Sequence, residues 1–342
     1  MGAEQRKALI EEIQVKRGDS RLICYVTSDR PNATAILAKD VVPLFYNHLM
    51  QWGKIEKLDI LLFTTGGDTL AAFHLGQLTR EFAGKVAVLV PDKCFSAGTL
   101  FALGANEIYM TGAGTLSPID PSIVTPLNPV ADGPMPGQKQ LLPVSVESVA
   151  GFKSLMMEEW GIKSEDAASQ IYKLLAERVH PLALGDVYRS RQQIKRLANQ
   201  LLSAHRKDKT NVTKIIQTLT RELGSHDYPI SRKESRKLLG HQIAADDNDL
   251  EKLVWRLFQD YRTELLLGVP YNPAAELAKG VAKGMPQPIR TKLQMAVVES
   301  VGSRDAFEQE ALLSELVVTG PAGPVKALQQ AVLDAGWKHY EW

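Results

Sequence analysis

Two small-residue turns carry the residues of this chain that could do chemistry. The first turn, Gly66 and Gly67, follows an apolar run at 58–65, and the second, with Ser96 in Phe-Ser-Ala-Gly, follows an apolar run at 86–91. A serine hydroxyl becomes a nucleophile when a base takes its proton and fixed N–H groups stabilise the charge on the substrate oxygen. Glycine leaves its backbone N–H open to a carbonyl oxygen. The pair of turns therefore predicts a serine nucleophile facing an oxyanion hole.

Each turn alone also has an ordinary structural interpretation. A glycine pair after a strand often forms only a tight turn, and serine is a common capping residue at the start of a helix. Neither phosphate-binding pattern, G-x-x-x-x-G-K-[ST] or G-x-G-x-x-G, occurs in the sequence. The nucleophile-elbow pattern G-x-S-x-G is not met, because Cys94 stands where its first glycine belongs. A nucleotide site and an ordinary α/β-hydrolase are therefore disfavoured.

Alternating strand and helix patterns place both turns at the ends of neighbouring strands. Asp68 is predicted to cap the helix after the first turn, and Gly84 to end it. Strands that alternate with helices at this spacing imply right-handed crossovers and a parallel sheet. The predicted elements up to residue 110 are a helix at 4–17, a strand at 21–27, a helix at 40–52, a strand at 58–65, a helix at 69–82, a strand at 86–91, a helix at 97–104 and a strand at 107–110.

The remainder of the chain is predicted to be mostly helical. Seven prolines between residues 118 and 143 predict an extended loop over the core. A small appended unit is predicted near the C-terminus from two strands joined by a polar loop. The predicted elements are helices at 148–160, 164–177, 185–203, 212–223, 233–239 and 250–267 and strands at 291–300 and 311–319.

Composition excludes several classes of protein. The 342 residues are 44% hydrophobic and 23% charged, with a net charge of +1, so no overall field favours nucleic acid or an anionic membrane. The basic stretch at 189–196 lacks interleaved aromatic residues and is interpreted as a solvated helix face or a subunit contact. No signal peptide and no apolar run of about 18 residues is present, which predicts a cytoplasmic protein without a membrane partner. Cys24 and Cys94 lie in or beside apolar strands, as buried reduced thiols do.

The order of the motifs resembles a known family. Thr-Thr-Gly-Gly-Asp, then Phe-Ser-Ala-Gly-Thr, then Leu-Ser-Pro-Ile-Asp-Pro at 116–121 is similar to the Clp-type serine proteinases and signal peptide peptidase A. From about residue 20 to 320 the chain resembles the SDH-type (serine dehydrogenase proteinase) family of the Clp/crotonase superfamily, with further matching segments at 179–190 and 224–234. The resemblance implies an α/β fold, a Clp/crotonase-like spiral of ββα units with a parallel sheet.

The resemblance also implies domains and roles for residues. Residues 1–245 would form the proteinase domain, and 246–342 a helix and strand appendage, α+β in type, for packing or oligomerisation. Ser96 would be the nucleophile, and the N–H groups of Gly67 and Ala97 the oxyanion hole beside Gly66. This chemistry requires no metal and no organic cofactor.

The base is less directly indicated. Clp-type proteinases carry a histidine after the serine, in the segment that here reads Ile-Asp-Pro around Asp120. Asp227 matches the position of the Clp-type aspartate, and His226 lies beside it. Because triads are defined by geometry and not by order, an exchanged arrangement is predicted, with His226 as base and Asp120 as its orienting group. His180 is the rival base.

A serine–lysine pair is the other route, because the signal peptide peptidase branch uses a lysine. Lys139 lies 43 residues after Ser96, and Lys153 lies 57 residues after it. Either ammonium would have to be buried to act as a base at neutral pH. Lys139 is predicted to be solvated in its Gly/Gln-rich loop, and Lys93 to lie on the surface of the turn.

The sequence thus predicts a cytoplasmic, homo-oligomeric serine endopeptidase that cleaves peptides or unfolded proteins through an acyl-enzyme. One alternative is a crotonase-like enzyme that uses the same oxyanion geometry on a thioester. The other is a catalytically silent scaffold that keeps the Clp fold for assembly. Labelling by a fluorophosphonate separates the hydrolase from both alternatives.

Overall fold

The structure is a computed structural model that describes residues 3–119, 122–123, 125–132, 139–142, 144–320 and 323–341. It forms two compact units. Unit 1 holds the described residues of 1–115 and 231–342, and unit 2 those of 116–230. The domain boundary predicted between residues 245 and 246 falls inside unit 1.

The helices and strands alternate over the first part of the chain. The helices are α1 (Ala3–Lys16), α2 (Val41–Trp52), α3 (Thr69–Phe82), α4 (Ala97–Leu103), α5 (Val146–Ser154), α6 (Glu165–Arg178), α7 (Pro181–Ser203), α8 (Lys209–Gln217), α9 (Arg232–Leu239), α10 (Asn248–Glu264) and α11 (Pro273–Ala282). The strands are β1 (Arg21–Thr27), β2 (Asp29–Arg30), β3 (Ala33–Thr34), β4 (Ile55–Phe63), β5 (Ala83–Val90), β6 (Lys93–Cys94), β7 (Glu107–Met110), β8 (Thr115–Leu116), β9 (Ser122–Ile123), β10 (Val130–Asp132), β11 (Lys139–Leu141), β12 (Val144–Ser145), β13 (Ile230–Ser231), β14 (Ile289–Ser300), β15 (Ser303–Gly320) and β16 (Gly323–Glu341).

One large sheet organises unit 1, in the order β16-β15-β14-β1-β4-β5-β7. The neighbours β1, β4, β5 and β7 run parallel, with Ile60 of β4 between Ile23 of β1 and Val88 of β5. The strands β14, β15 and β16 are antiparallel to their neighbours. The predicted mixed α/β fold with a parallel sheet is therefore confirmed, and the C-terminal strands extend this sheet.

Apolar side chains bury both faces of the sheet. Leu22, Cys24 and Val26 of β1 point to one face, where α1 and α10 complete a core that includes Phe258. Tyr25, on the alternate face, makes an edge-to-face contact with Phe45 of α2, at 5.7 Å between ring centroids. Coverage of both faces fits the apolar runs within the central strands, such as residues 60–63 of β4. We therefore look to the carboxyl ends of the parallel strands for the functional site.

Several predicted bounds differ from the structure. Gly84 does not end a helix, because α3 stops at Phe82 and β5 already begins at Ala83, which pairs with Ile55. The polar loop predicted between two C-terminal strands is instead a two-residue turn, and β15 begins at Ser303. β16 was not predicted. Strand pairing with β14 and β16 on either side overrides the polar character of this stretch.

Unit 2 consists mainly of helices. The predicted helices are present as α5, α6, α7 and α8, with π-helical turns at Leu155–Glu159 and Thr218–Glu222 that continue α5 and α8. Two short antiparallel pairs, β9 with β12 and β10 with β11, lie in the proline-rich segment. Asp120, the predicted orienting group, lies outside the described residues.

Candidate active site

The two turns lie side by side because hydrogen bonding between β4 and β5 continues past the strand ends. The Thr64 N–H donates to the Lys93 carbonyl at 3.0 Å, and the Phe95 N–H donates to the Thr64 carbonyl at 3.0 Å. This bridge places Gly66 against Ser96, since a Cβ added to Gly66 would lie 2.8 Å from the Ser96 Cβ. The structure therefore brings the predicted glycine turn and the predicted serine together.

Ser96 has an unusual backbone. Its φ of 50° and ψ of −111° lie outside the regions that side-chain-bearing residues normally adopt. It precedes α4, yet its side chain makes no capping hydrogen bond to that helix. The helix-cap interpretation of this serine is thus not supported. A sharp strand-to-helix turn of this kind presents a serine hydroxyl in α/β-hydrolases, and strained residues concentrate at active sites.

Leu37 fixes the direction of the glycine turn. The Leu37 N–H donates to the Gly66 carbonyl at 2.8 Å, and the Leu37 carbonyl accepts from the Asp68 N–H at 2.7 Å. This is a parallel bridge opposite Gly67, so the Gly67 N–H points away from Leu37. A Cβ on Gly67, whose φ is 147°, would lie 2.1 Å from the Leu37 carbonyl oxygen. Only glycine fits at this position.

Some backbone N–H groups of the two turns already donate a hydrogen bond, and others do not. The Gly66 N–H donates to the Thr64 hydroxyl at 3.1 Å. The N–H groups of Gly67 and Ala97 donate to no acceptor in the part of the chain that the structure describes. Asp68 caps α3 as predicted, with its carboxylate accepting from the N–H groups of Leu70 and Ala71. The uncommitted donors are therefore the two that the resemblance implied.

Close packing beneath the turns holds this arrangement. A Cβ on Gly98 would lie 2.5 Å from the Thr64 Cγ2, so α4 approaches the first turn because residue 98 has no side chain. The Thr99 hydroxyl donates to the Cys94 carbonyl at 2.7 Å. Cys94 is fully buried, and burial raises the pKa of its thiol. Cys94 is thus a packing residue and not a competing nucleophile.

Lys93 is committed to an ion pair. Its ammonium donates to the Asp29 carboxylate at 2.7 Å, and the other oxygen of Asp29 accepts from the Gly268 N–H at 2.7 Å. The Lys93 side chain is 39% exposed, as predicted for the surface of the turn. Lys93 therefore ties the loop before Ser96 to the loop after β1 and is not an unengaged base.

The candidate bases on the helical part of the chain all belong to unit 2. His180 caps α7, with its Nδ1 accepting from the Leu182 N–H at 3.2 Å. A neutral ring in this role carries its proton on Nε2, so it has no free basic nitrogen. His226 is half-buried in the turn after α8, and Asp227 beside it is exposed.

The two candidate lysines are exposed. Lys139 forms an ion pair with Asp132 at 2.7 Å, and both side chains are mostly in solvent. Lys153 lies on the exposed surface of α5. The predicted solvation of Lys139 is confirmed.

A cluster of serine, histidine and carboxylate side chains that was not predicted from the sequence lies inside unit 1. The His48 Nδ1 lies 2.7 Å from the Ser300 hydroxyl, and its Nε2 lies 3.2 Å from an Asp305 carboxylate oxygen. These three residues are 0%, 1% and 5% exposed, respectively. Because no substrate reaches them, this cluster is structural, linking α2 to β14 and β15.

Among the described residues, no group of three or more His, Cys, Asp or Glu is placed to hold a metal ion. No helix in the described ranges is long and apolar enough to cross a membrane.

Comparison with known proteins bears on the segment that contains both turns. Residues 51–131 match the family model described as ClpP-like SDH-type serine proteinase. The uncharacterized protein MJ0137 of Methanocaldococcus jannaschii is 24% identical over 237 residues, which cover 69% of this chain and 66% of that protein. MJ1495 of the same organism, also uncharacterized, is 35% identical over 66 residues, which cover 19% of this chain and 23% of that protein. The matches thus span less than two thirds of either relative.

Among solved structures, two variants of the 1510-N membrane-bound stomatin-specific protease are similar. A serine-to-alanine variant has a TM-score of 0.36 and 15% identity, covering 64% of this chain and 79% of that one. A lysine-to-alanine variant in complex with a substrate peptide has a TM-score of 0.36 and 16% identity, covering 63% and 74%.

The matched segment includes the strands β4 and β5, the glycine turn and Ser96. The segment that carries both turns, residues 51–131, is thus the one that is similar to the ClpP-like SDH-type serine proteinases.

Proposed function

We propose that this chain is a serine endopeptidase that hydrolyses peptides or unfolded proteins through an acyl-enzyme on Ser96. One observation carries the proposal: a serine in a strained turn lies against a glycine turn, beside two uncommitted backbone N–H groups. Acyl transfer to serine needs a positioned hydroxyl and unengaged donors that can stabilise the oxyanion. Self-association and a cytoplasmic location stay predictions.

The reaction follows from these groups. The Ser96 oxygen attacks the peptide carbonyl carbon while the base takes the hydroxyl proton. The N–H groups of Gly67 and Ala97 stabilise the oxyanion of the tetrahedral intermediate. The base returns the proton to the leaving amine, and water then hydrolyses the ester. Gly66 leaves room for the serine side chain, and its own N–H is already engaged by Thr64.

For the base we keep His226, with Asp120 as its orienting group. This choice rests on the order of motifs that the chain shares with Clp-type proteinases. The rival bases have partners of their own: the Nδ1 of His180 caps α7, and Lys93 and Lys139 form ion pairs. Asp227, next to His226 in the chain, is the alternative carboxylate for orienting the His226 ring.

Hydrolysis of an unfolded, dye-labelled protein tests the proposal. Ser96→Ala and His226→Ala should each lose roughly a thousandfold or more of the rate, because a nucleophile and its base act as a unit. His180→Ala should keep its rate within a few-fold and lose about 1 kcal/mol of stability as a missing helix cap. A folded and active Ser96→Ala variant would refute the proposal, and an active His226→Ala variant would refute the choice of base. Turnover of acyl thioesters without peptide cleavage would favour the crotonase-like alternative.

A further inference from the structure

The strand β14 has an edge that is only partly used. β1 pairs with Ala296–Glu299 of β14, and the Ser28 N–H donates to the Met295 carbonyl at 2.7 Å. After Ser28 the chain turns back in the β2–β3 hairpin. On that side, residues 290–294 of β14 have no backbone partner among the described residues, although β15 pairs with them on the other side.

A cleft of about 440 Å³ runs along this open edge. Residues 289–294 line it consecutively, which a strand does only along its edge, because its side chains alternate between faces. Residues of α11 also line it, together with Arg30 and Tyr271. The cleft therefore offers unpaired backbone groups to an extended chain.

Cations outnumber carboxylates in the lining of the cleft. Arg30, Lys279, Lys283, Arg290 and Lys292 line it. Three of these cations are paired with carboxylates: Lys279 with Glu276, Arg290 with Glu310, and Lys292 with Glu308. The remaining carboxylate of the lining, Glu264, is paired with Arg6 and Arg304. The ammonium of Lys283 has no acidic partner within the described ranges.

Arg30 is the most buried of these cations, with 8% of its surface exposed. Its Nε donates to the Val269 carbonyl at 2.9 Å, and its guanidinium lies 5.7 Å from the ring centroid of Tyr271. The two terminal nitrogens of Arg30 donate to no acceptor in the described part of the chain. The Tyr271 hydroxyl is likewise buried without a hydrogen-bond partner. A guanidinium held in place with both terminal nitrogens unused is suited to a carboxylate.

We propose that this cleft binds an extended, acidic peptide segment, which adds as a strand to residues 290–294 and places a carboxylate on Arg30. Backbone pairing supplies affinity, and the basic wall supplies selectivity. Residues 290–294 lie beyond the carboxyl end of β1, because Thr27 pairs with Ala296, and this is the end of the sheet at which Ser96 follows β5. β14 lies three strands from β5, about 14 Å across the sheet. A role in selecting substrates rests on the proposed peptidase function, whereas the binding itself does not.

Fluorescence anisotropy with the 342-residue Ser96→Ala protein tests the binding without cleavage. The probe is a fluorescein-labelled peptide in which Glu alternates with Val. A peptide with Lys in place of Glu, and a Glu peptide with alternate backbone amides N-methylated, should each bind about tenfold more weakly or worse. Equal binding of the Lys peptide would overturn the charge selection, and equal binding of the N-methylated peptide would overturn strand addition.

Substitutions locate the site. Lys283→Glu should weaken the binding of the Glu peptide by about tenfold, because it reverses an exposed charge on the wall without touching the core. Lys237→Glu, an equal charge change on an exposed residue of α9 outside the cleft, should leave binding within about twofold. Arg30→Gln should abolish tight binding, with circular dichroism confirming that it folds. Equal effects of the two lysine changes would overturn the location. Because binding is measured without a nucleophile, a failed peptidase assay leaves this result standing.

Discussion

The backbone strain at Ser96 predicts that glycine at this position is more stabilising than alanine, the reverse of their order within a helix. A residue held at such φ and ψ values costs about 1–3 kcal/mol, which glycine largely avoids. Glycine in turn loses about 0.4–1 kcal/mol more conformational entropy on folding than alanine does. Ser96→Gly should therefore be more stable than Ser96→Ala by about 1 kcal/mol, although both lack the hydroxyl and both should be inactive.

Urea unfolding followed by circular dichroism measures this difference as a shift in the midpoint at an unchanged m value. Ala278→Gly is the matched control, because Ala278 is exposed within α11, where glycine should destabilise by about 1 kcal/mol. Opposite signs at the two positions would support a turn strained to present its serine. A Ser96→Gly variant that is no more stable than Ser96→Ala would refute the strain and with it part of the case for a nucleophile.

Three further predictions concern glycine contacts and pH. Gly67→Ala should lose about 100-fold or more in peptide hydrolysis, because its Cβ would lie 2.1 Å from the Leu37 carbonyl oxygen. The control is Gly53→Ala, which is also at positive φ but in open space and should lose only about 1 kcal/mol of stability. Equal peptidase activities of the two variants would contradict this prediction. Gly98→Ala should destabilise the folded protein, because the added Cβ would lie 2.5 Å from the Thr64 methyl group. Adding Thr64→Ser, which removes that methyl group, should recover part of the lost stability in a double-mutant cycle. Strictly additive effects of the two changes would count against the contact. Burial raises the pKa of Glu299 from 4.5 to about 7, so the folded chain binds this proton more tightly than the unfolded chain does. The free energy of unfolding should therefore fall as pH rises from about 4.5 to about 7. Urea titrations should show a smaller fall for Glu299→Gln, and the same dependence of unfolding free energy on pH in both proteins would contradict the raised pKa.

The elements around the site could be predicted from local sequence. The apolar runs at 58–65 and 86–91 became β4 and β5, and Asp68 and Ser96 stand at the helix starts where the pattern placed them. These signals are local, because strand burial and helix capping depend on residues a few positions apart.

What the sequence did not show depends on pairing between distant segments. Leu37 orients the Gly67 N–H, yet an apolar residue in a loop gives no sign of this role. The side of the sheet that receives β14 is set by its pairing with β1, far away in the chain. The same holds for β16, whose sequence includes glycine, proline, alanine and lysine, residues of low strand propensity, and which is held by pairing with β15.

The choice between Gly66 and Gly67 as donor also needed coordinates. Both are glycines at positive φ in one turn, and only the hydrogen bond from the Gly66 N–H to the Thr64 hydroxyl distinguishes them. The base is a different case. His226 as base and Asp120 as its orienting group were chosen from the order of motifs in the family, and their roles stay predictions.

The most direct measurement of the central claim is the site of covalent labelling by a fluorophosphonate. Such a probe phosphonylates a serine whose proton is removed by a base and whose oxyanion hole receives the P–O oxygen, and it spares ordinary surface serines. Mass mapping of the folded protein should locate a single adduct on Ser96, which disappears in Ser96→Ala and after denaturation. An unlabelled folded chain, or an adduct on another serine with Ser96 unmodified, would contradict the assignment of Ser96 as the nucleophile.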